Sequence, residues 1–169
     1  MDDIDKLLGE SAESLITTGE HMPLVIVIDD DATQRTSIQF ALSKKYSVDV
    51  YSSGAEGVAA LKPTWACVIL DIKMPDRDGF WTYRAIRRED ADIPIVFNSA
   101  YQDLEDPFVI MNEYRPFGYL TKSGDITELL RMVDKAVEFR EGSHSKKDLM
   151  QQLRKLRGEM ATLRKEKGW

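Results

Sequence analysis

The sequence predicts a doubly wound α/β sandwich on a five-stranded parallel sheet, and two observations carry that expectation. Five short apolar runs, Leu24-Val25-Ile26-Val27-Ile28, Val48-Asp49-Val50-Tyr51, Cys67-Val68-Ile69-Leu70, Ile95-Val96-Phe97 and Gly118-Tyr119-Leu120, are mostly β-branched or aromatic and lack alternation. That is the pattern of strands buried on both faces. Amphipathic stretches long enough for crossover helices follow them: Gln34 to Ser43, Ala55 to Leu61, Phe80 to Arg88, Leu104 to Tyr114 and Ile126 to Arg140. Strand and helix in strict alternation build a parallel sheet, and ligands then bind beyond the carboxyl ends of the strands, where the strand order reverses.

Taken in order, the strand ends place polar chemistry at one edge. The first strand runs into Asp29-Asp30-Asp31, with Asp31 placed to cap the helix that begins near Gln34. The third carries Cys67, expected as a buried structural thiol, and ends in Asp71. The fourth ends in Asn98-Ser99, and Lys122 follows the fifth by two residues. Two carboxylates ~4 Å apart repel by about 4 kcal/mol at an effective dielectric near 20, so converging acids need a cation. Hard oxygen ligands with open positions suit Mg²⁺.

These residues carry a resemblance. Val25-Ile26-Val27-Ile28-Asp29-Asp30-Asp31, Leu70-Asp71-Ile72-Lys73-Met74-Pro75-Asp76-Arg77-Asp78-Gly79, Asn98-Ser99-Ala100-Tyr101 and Gly118-Tyr119-Leu120-Thr121-Lys122 are similar to the signature of the response-regulator receiver domain of two-component signalling. The similarity covers roughly residues 23 to 140. It implies a flavodoxin-like sheet of order 2-1-3-4-5. It implies Asp71 as phosphoacceptor from a sensor histidine kinase or phosphotransfer protein, with Mg²⁺ held by Asp29, Asp30, Asp71 and the backbone carbonyl of Lys73. Lys122 and Ser99 would contact the phosphoryl oxygens, and Ser99 and Tyr119 would act as the switch. The face formed by the fourth helix, fifth strand and fifth helix would carry the response. On this reading the chain is a phosphoacceptor that loads and hydrolyses its own acyl phosphate, and not an enzyme with a separate substrate.

Two departures from the family pattern matter. Ser123 stands where most receivers have proline, and a cis bond before a non-proline residue costs about 3 to 4 kcal/mol, so a trans Lys122-Ser123 peptide is expected. Lys73 and Tyr101 flank the expected path of a hydrolytic water, and both are read as tuning the lifetime of the acyl phosphate.

Charge divides the remainder. Residues 1–22, with six acids against one lysine, read as an acidic leader, residues 23–140 as the receiver, and residues 141–169 as linker and short coiled coil. From His144 onward eight bases face three acids. Leu149, Leu153, Leu156, Met160 and Leu163 repeat at heptad spacing and predict a homodimer, with Glu159 and Arg164 paired across a parallel coil. Leu130, Val133 and Val137 are out of register with that seam, so Gly142-Ser143 is expected to be a hinge or the site of a phase shift within one helix.

The 169 residues contain 29 acids and 23 bases, a net charge of −6 that disfavours wrapping of duplex DNA. The first twenty residues lack the basic start and apolar stretch of a signal peptide, and no apolar run approaches the ~20 residues of a membrane span, so a cytoplasmic protein is expected. Two rivals remain at this point. Asp29-x-Asp31-x-Thr33 also fits the nucleophile motif of haloacid-dehalogenase-like phosphatases, and the basic tail admits a nucleic-acid-binding regulator, although no reading element follows the receiver.

Overall fold

The apolar runs form a sheet whose central strands are covered on both faces, whereas the edge strand containing Val48 to Tyr51 has Asp49 exposed and the rest only half-buried, because no further strand among the described residues pairs with its outer edge. The computed structural model describes residues 22–100 and 106–167, with positions 160 and 163–167 described for their backbone only. The chain alternates β1 (Leu24–Ile28), α1 (Ala32–Leu42), β2 (Ser47–Tyr51), α2 (Gly54–Ala59), β3 (Trp65–Leu70), α3 (Gly79–Glu89), β4 (Ile95–Ser99), α4 (Pro107–Glu113), β5 (Gly118–Thr121) and α5 (Ile126–Lys167). All strand pairs are parallel, in the order β2-β1-β3-β4-β5. The direction of winding therefore reverses between β1 and β3, where the aspartates leave the sheet.

Successive residues of β1 feed two separate cores. Val25 and Val27 pack with Ile38, Leu42, Leu129 and Val133 beneath α1 and α5, while Ile26 and Ile28 pack with Trp65, Ile86, Phe97 and Ile110 on the opposite face. Each fully buried aliphatic side chain of this kind contributes about 1.5 to 3 kcal/mol of hydrophobic stabilisation. Cys67 lies among them, and burial pushes its thiol up to about 12.

Short polar side chains start the helices. Asp31, Ser53, Asp78 and Asp106 each accept hydrogen bonds from first-turn amides of α1, α2, α3 and α4, and Asp125 accepts from the Thr127 amide at the start of α5. Helix α4 is shorter than the sequence pattern suggests, and Ile110 is its one buried residue. Its C-cap, Tyr114, is held by α3: Phe80 stacks on the ring at 4.5 Å, and the Tyr83 hydroxyl donates to the Tyr114 carbonyl at 2.5 Å.

The fifth helix is unbroken from Ile126 to Lys167. Leu129, Val133, Ala136, Val137 and Arg140 are buried against the domain. Phe139 points elsewhere, half exposed beside Phe117. Counting back in sevens from Leu153 through Lys146 arrives at Phe139, so the outward seam starts inside the domain. The apparent loss of register at Gly142-Ser143 arises because one helix presents different faces to the domain and to solvent. Of the two expected arrangements, the structure has the continuous helix.

Candidate functional site

Sheet register alone brings the acids together. Ile28 of β1 is the partner of Leu70 in β3, so Asp29 and Asp71, the next residues, emerge side by side. The Asp71 amide donates to the Ile28 carbonyl at 2.9 Å, and the Asp29 amide to the Tyr51 carbonyl at 3.1 Å. One carboxylate oxygen from each of Asp29, Asp30 and Asp71 lies within 4.8 Å of the other two. Asp29 and Asp71 are 2% exposed, whereas Asp30 faces solvent.

Lys122 sits between the two buried acids. Its backbone amide donates to the Ser99 carbonyl at 2.9 Å. Its Nζ then reaches Asp29 at 2.9 Å and Asp71 at 3.1 Å. Burial, reinforced by the neighbouring Asp29 charge and opposed by Lys122, pushes Asp71 up to about 7. Burial also raises Asp29, against the hydrogen bonds from Lys122 and the Asp31 amide. Burial pulls Lys122 down, but its contacts with Asp29 and Asp71 outweigh that effect and leave its pKa raised.

The loop after β1 is fixed by its own polar groups. Asp29 Oδ1 accepts from the Asp31 amide at 2.9 Å, and Asp31 Oδ1 accepts from the amides of Thr33 and Gln34 at 2.8 and 3.3 Å. Arg35 Nη1 donates to the carbonyls of both Asp29 and Asp30, at 2.7 and 3.0 Å. This clamp was not read from the sequence: Arg35 is one turn into a surface helix, and only the folded loop shows which carbonyls face it. Because Asp31 is engaged as a helix cap, the Asp29-x-Asp31 phosphatase reading loses its second acid.

The loop after β3 closes the other side. A Cβ on Gly79 would overlap the Asp71 carbonyl and the Ile72 backbone, so the glycine of the Asp78-Gly79 pair is required by close approach. The Gly79 amide donates to the Ile72 carbonyl at 2.6 Å, and Asp78 caps α3 by accepting from the Trp81 amide at 2.7 Å. Asp76 takes the left-handed conformation, φ 65°, that this tight path demands. Lys73 lies in the same loop with its side chain exposed. No cis peptide occurs among the described residues, so the Lys122-Ser123 bond is trans, as expected.

The donor set fits a hard divalent cation. Three carboxylates converge, and Asp71 Oδ1 is buried with no hydrogen-bond partner among the described residues. An orphaned anionic oxygen beside a solvent-facing acid suits oxygen-liganded Mg²⁺, which keeps several waters.

The remaining expected residues are more dispersed. Ser99 is fully buried at the end of β4, its hydroxyl donating to the Ala100 carbonyl at 3.5 Å. Tyr119 is half-buried in β5, opposite Phe97 and packed against the core cluster that contains it. Tyr101, the acidic leader to residue 21, and the side chains of Met160, Leu163 and Arg164 lie outside the described residues. Leu149, Leu153 and Leu156 are 57%, 42% and 55% exposed along one stripe of α5. No helix among the described residues is long and apolar enough to cross a membrane.

Comparison with known proteins bears on the same residues. A family profile described as the response regulator receiver domain matches residues 25–134. The DNA-binding transcriptional regulator NtrC of Escherichia coli strain K12 is 32% identical over 116 residues, covering 68% of this chain and 24% of the regulator. The chain thus spans about a quarter of the length of such curated relatives. Among solved structures, a response regulator receiver domain protein from Clostridium thermocellum superposes with a TM-score of 0.64 at 26% identity, covering 70% of this chain and 96% of that one. An adenylate cyclase structure from Rhodopirellula baltica shares the fold with a TM-score of 0.70 at 20% identity, covering 76% and 97% of the two chains.

Proposed function

The chain belongs to the response regulator receiver family of two-component signalling, and from that premise we propose that it receives a phosphoryl group on Asp71 from a phosphohistidine of a partner kinase or phosphotransfer protein. The observation that carries this reading is the buried, unpartnered Oδ1 of Asp71 beside two further carboxylates and the Lys122 ammonium. An Asp71 oxygen bonds to phosphorus as the donor's P–N bond breaks, and the electron pair of that bond returns to the imidazole. Asp29, Asp30, Asp71 and the Lys73 carbonyl would hold Mg²⁺, which when bound offsets the repulsion between the acids and the phosphoryl oxygens. Lys122 supplies a positive charge already at the carboxylate, and Ser99 and Lys122 receive the new oxygens. Ser99 and Tyr119 switch in response, and Lys73 and Tyr101 limit the approach of hydrolytic water. The chain is a phosphoacceptor and not an enzyme acting on a separate substrate, and its setting is cytoplasmic.

The output is dimerisation through α5. From residue 141 to residue 159 every helical position except Ser143 is exposed, so beyond the surface pair of Lys147 with Asp92 this length of helix gains almost nothing from packing against the other described residues. An isolated helix with Gly142 and Gly158 is marginal in water, and the leucine stripe supplies the stabilisation once a second, parallel copy covers it. The test is labelling by a small acyl phosphate with Mg²⁺. Wild type takes up one phosphoryl group that maps to Asp71, and Asp71→Ala takes up none. Equal labelling of the two proteins rejects the function.

A further inference from the structure

We infer that Asp90 and Arg140 form a latch that sets the direction in which α5 leaves the domain, and that α3 is the strut connecting this latch to Asp71. The inference deepens the proposed function and rests on it, adding a route from the phosphoacceptor to the projecting helix that does not pass through α4 and β5.

Three observations converge on the latch. Arg140 is 3% exposed, the most buried cation among the described residues and the last buried residue of α5 before its solvent-exposed length. Its guanidinium grips Asp90 with both terminal nitrogens, Nη1 to Oδ1 at 3.1 Å and Nη2 to Oδ2, and Nη2 also donates to the Pro63 carbonyl at 3.4 Å. The acceptor is held in turn, because Asp90 Oδ1 accepts from the amides of Asp92 and Ile93 at 3.0 Å each. Burial works against ionisation of Asp90, but the hydrogen bonds and charge of Arg140 outweigh it and hold the carboxyl below its ordinary range. A two-pronged contact from a buried guanidinium to a partly buried carboxylate fixes direction as well as position. Two helical turns further on, Lys147 pairs with Asp92 from the same loop. That pair is exposed and weak by comparison, so Arg140 dominates.

The strut has the required rigidity and attachments. The first residue of α3, Gly79, packs without a Cβ against the Asp71 carbonyl and the Ile72 Cα. The helix then runs for 11 residues with Thr82, Tyr83 and Ile86 buried, and it ends at its C-cap, Asp90. Its last turn is braced by Arg87, which donates to the Tyr83 hydroxyl at 3.1 Å and the Ile93 carbonyl at 2.5 Å. A movement of the Asp71 backbone is therefore delivered to the partner of Arg140 with little slack between. Asp90 and Arg140 act as positioning residues and take no part in the chemistry at Asp71.

The test uses the full chain carrying spin labels at Lys44→Cys, an exposed position outside α3, and Lys155→Cys, diluted with unlabelled chain so that distances are read within one molecule. Distance distributions are recorded by pulsed electron resonance with and without beryllofluoride and Mg²⁺, and fluorine resonance reports loading at Asp71 separately. Wild type gives one narrow distribution that shifts on loading. Arg140→Gln gives a distribution at least twice as broad, and the shift is lost although Asp71 still loads. Asp90→Asn, nearly the same size as the native residue, gives the same result and keeps the comparison available if Arg140→Gln does not fold. An unchanged width in either folded variant overturns the latch, and a wild-type distance that stays fixed while Asp71 is loaded overturns the strut. Failure of wild type to load would reject the proposed function instead, and the unloaded widths would still decide the latch.

Discussion

The ammonium of Lys122 stands 3.1 Å from the Asp71 carboxylate while holding Asp29 at 2.9 Å. One cation thus holds two acids, both pushed toward protonation chiefly by burial, at the ends of neighbouring strands. Replacing Lys122 with alanine leaves that pair uncompensated. We expect a loss of about 2 to 4 kcal/mol in the metal-free protein, seen as a lower melting temperature, with part of the loss recovered in Mg²⁺. Labelling of Asp71 should slow by at least ~10-fold.

Stability should fall with rising pH at this site. The pKa of Asp71 is raised in the fold, to about 7. Its contribution is therefore fully present below the unfolded value near 3.8 and is lost as pH rises through about 7. Asp71→Asn removes the titration, so its melting temperature should exceed that of metal-free wild type at pH 8, with the advantage vanishing near pH 4. An advantage that instead grows toward pH 4 contradicts the assignment.

Arg35 clamps the carbonyls of Asp29 and Asp30, two of the proposed Mg²⁺ ligands, without a hydrogen bond to either carboxylate. Arg35→Met should weaken Mg²⁺ binding by roughly 10-fold, within the range of outer-shell substitutions at metal sites. Calorimetric titration with Mg²⁺ alone measures this, and an affinity equal to wild type shows the clamp to be dispensable.

Gly79→Ala places a methyl group against the Asp71 carbonyl. Both contacts are backbone, so neither can rotate away, and the cost should be at least about 1 to 3 kcal/mol. Denaturant unfolding reads it directly.

Leu153→Asp, on the exposed stripe of α5, should convert the proposed dimer to monomer without altering the labelling of Asp71. Sedimentation of the full chain with and without the substitution checks it, and a monomeric wild type would remove the dimer from the scheme.

Much of this was legible in the residues because short-range rules governed it. The first apolar run coincides with β1, and Asp31 caps α1 as its position suggested. The convergence of Asp29, Asp30 and Asp71 followed from placing each acid at a strand end. What stayed hidden depended on direction. Leu130, Val133 and Val137 belong with the inward surface of α5, so their spacing says nothing about the phase of the outward seam, which begins at Phe139 on the other side of the same helix. Arg35 and Arg140 were equally opaque. A cation on a helix reads as solvated until tertiary structure shows which oxygens surround it.

The continuity of α5 past Arg140 makes it a lever. About 40 Å of rod extends beyond that fulcrum. A tilt of ~10° there sweeps its tip sideways by about 7 Å, so sub-ångström adjustments beside the aspartates are magnified before they reach whatever the far end touches.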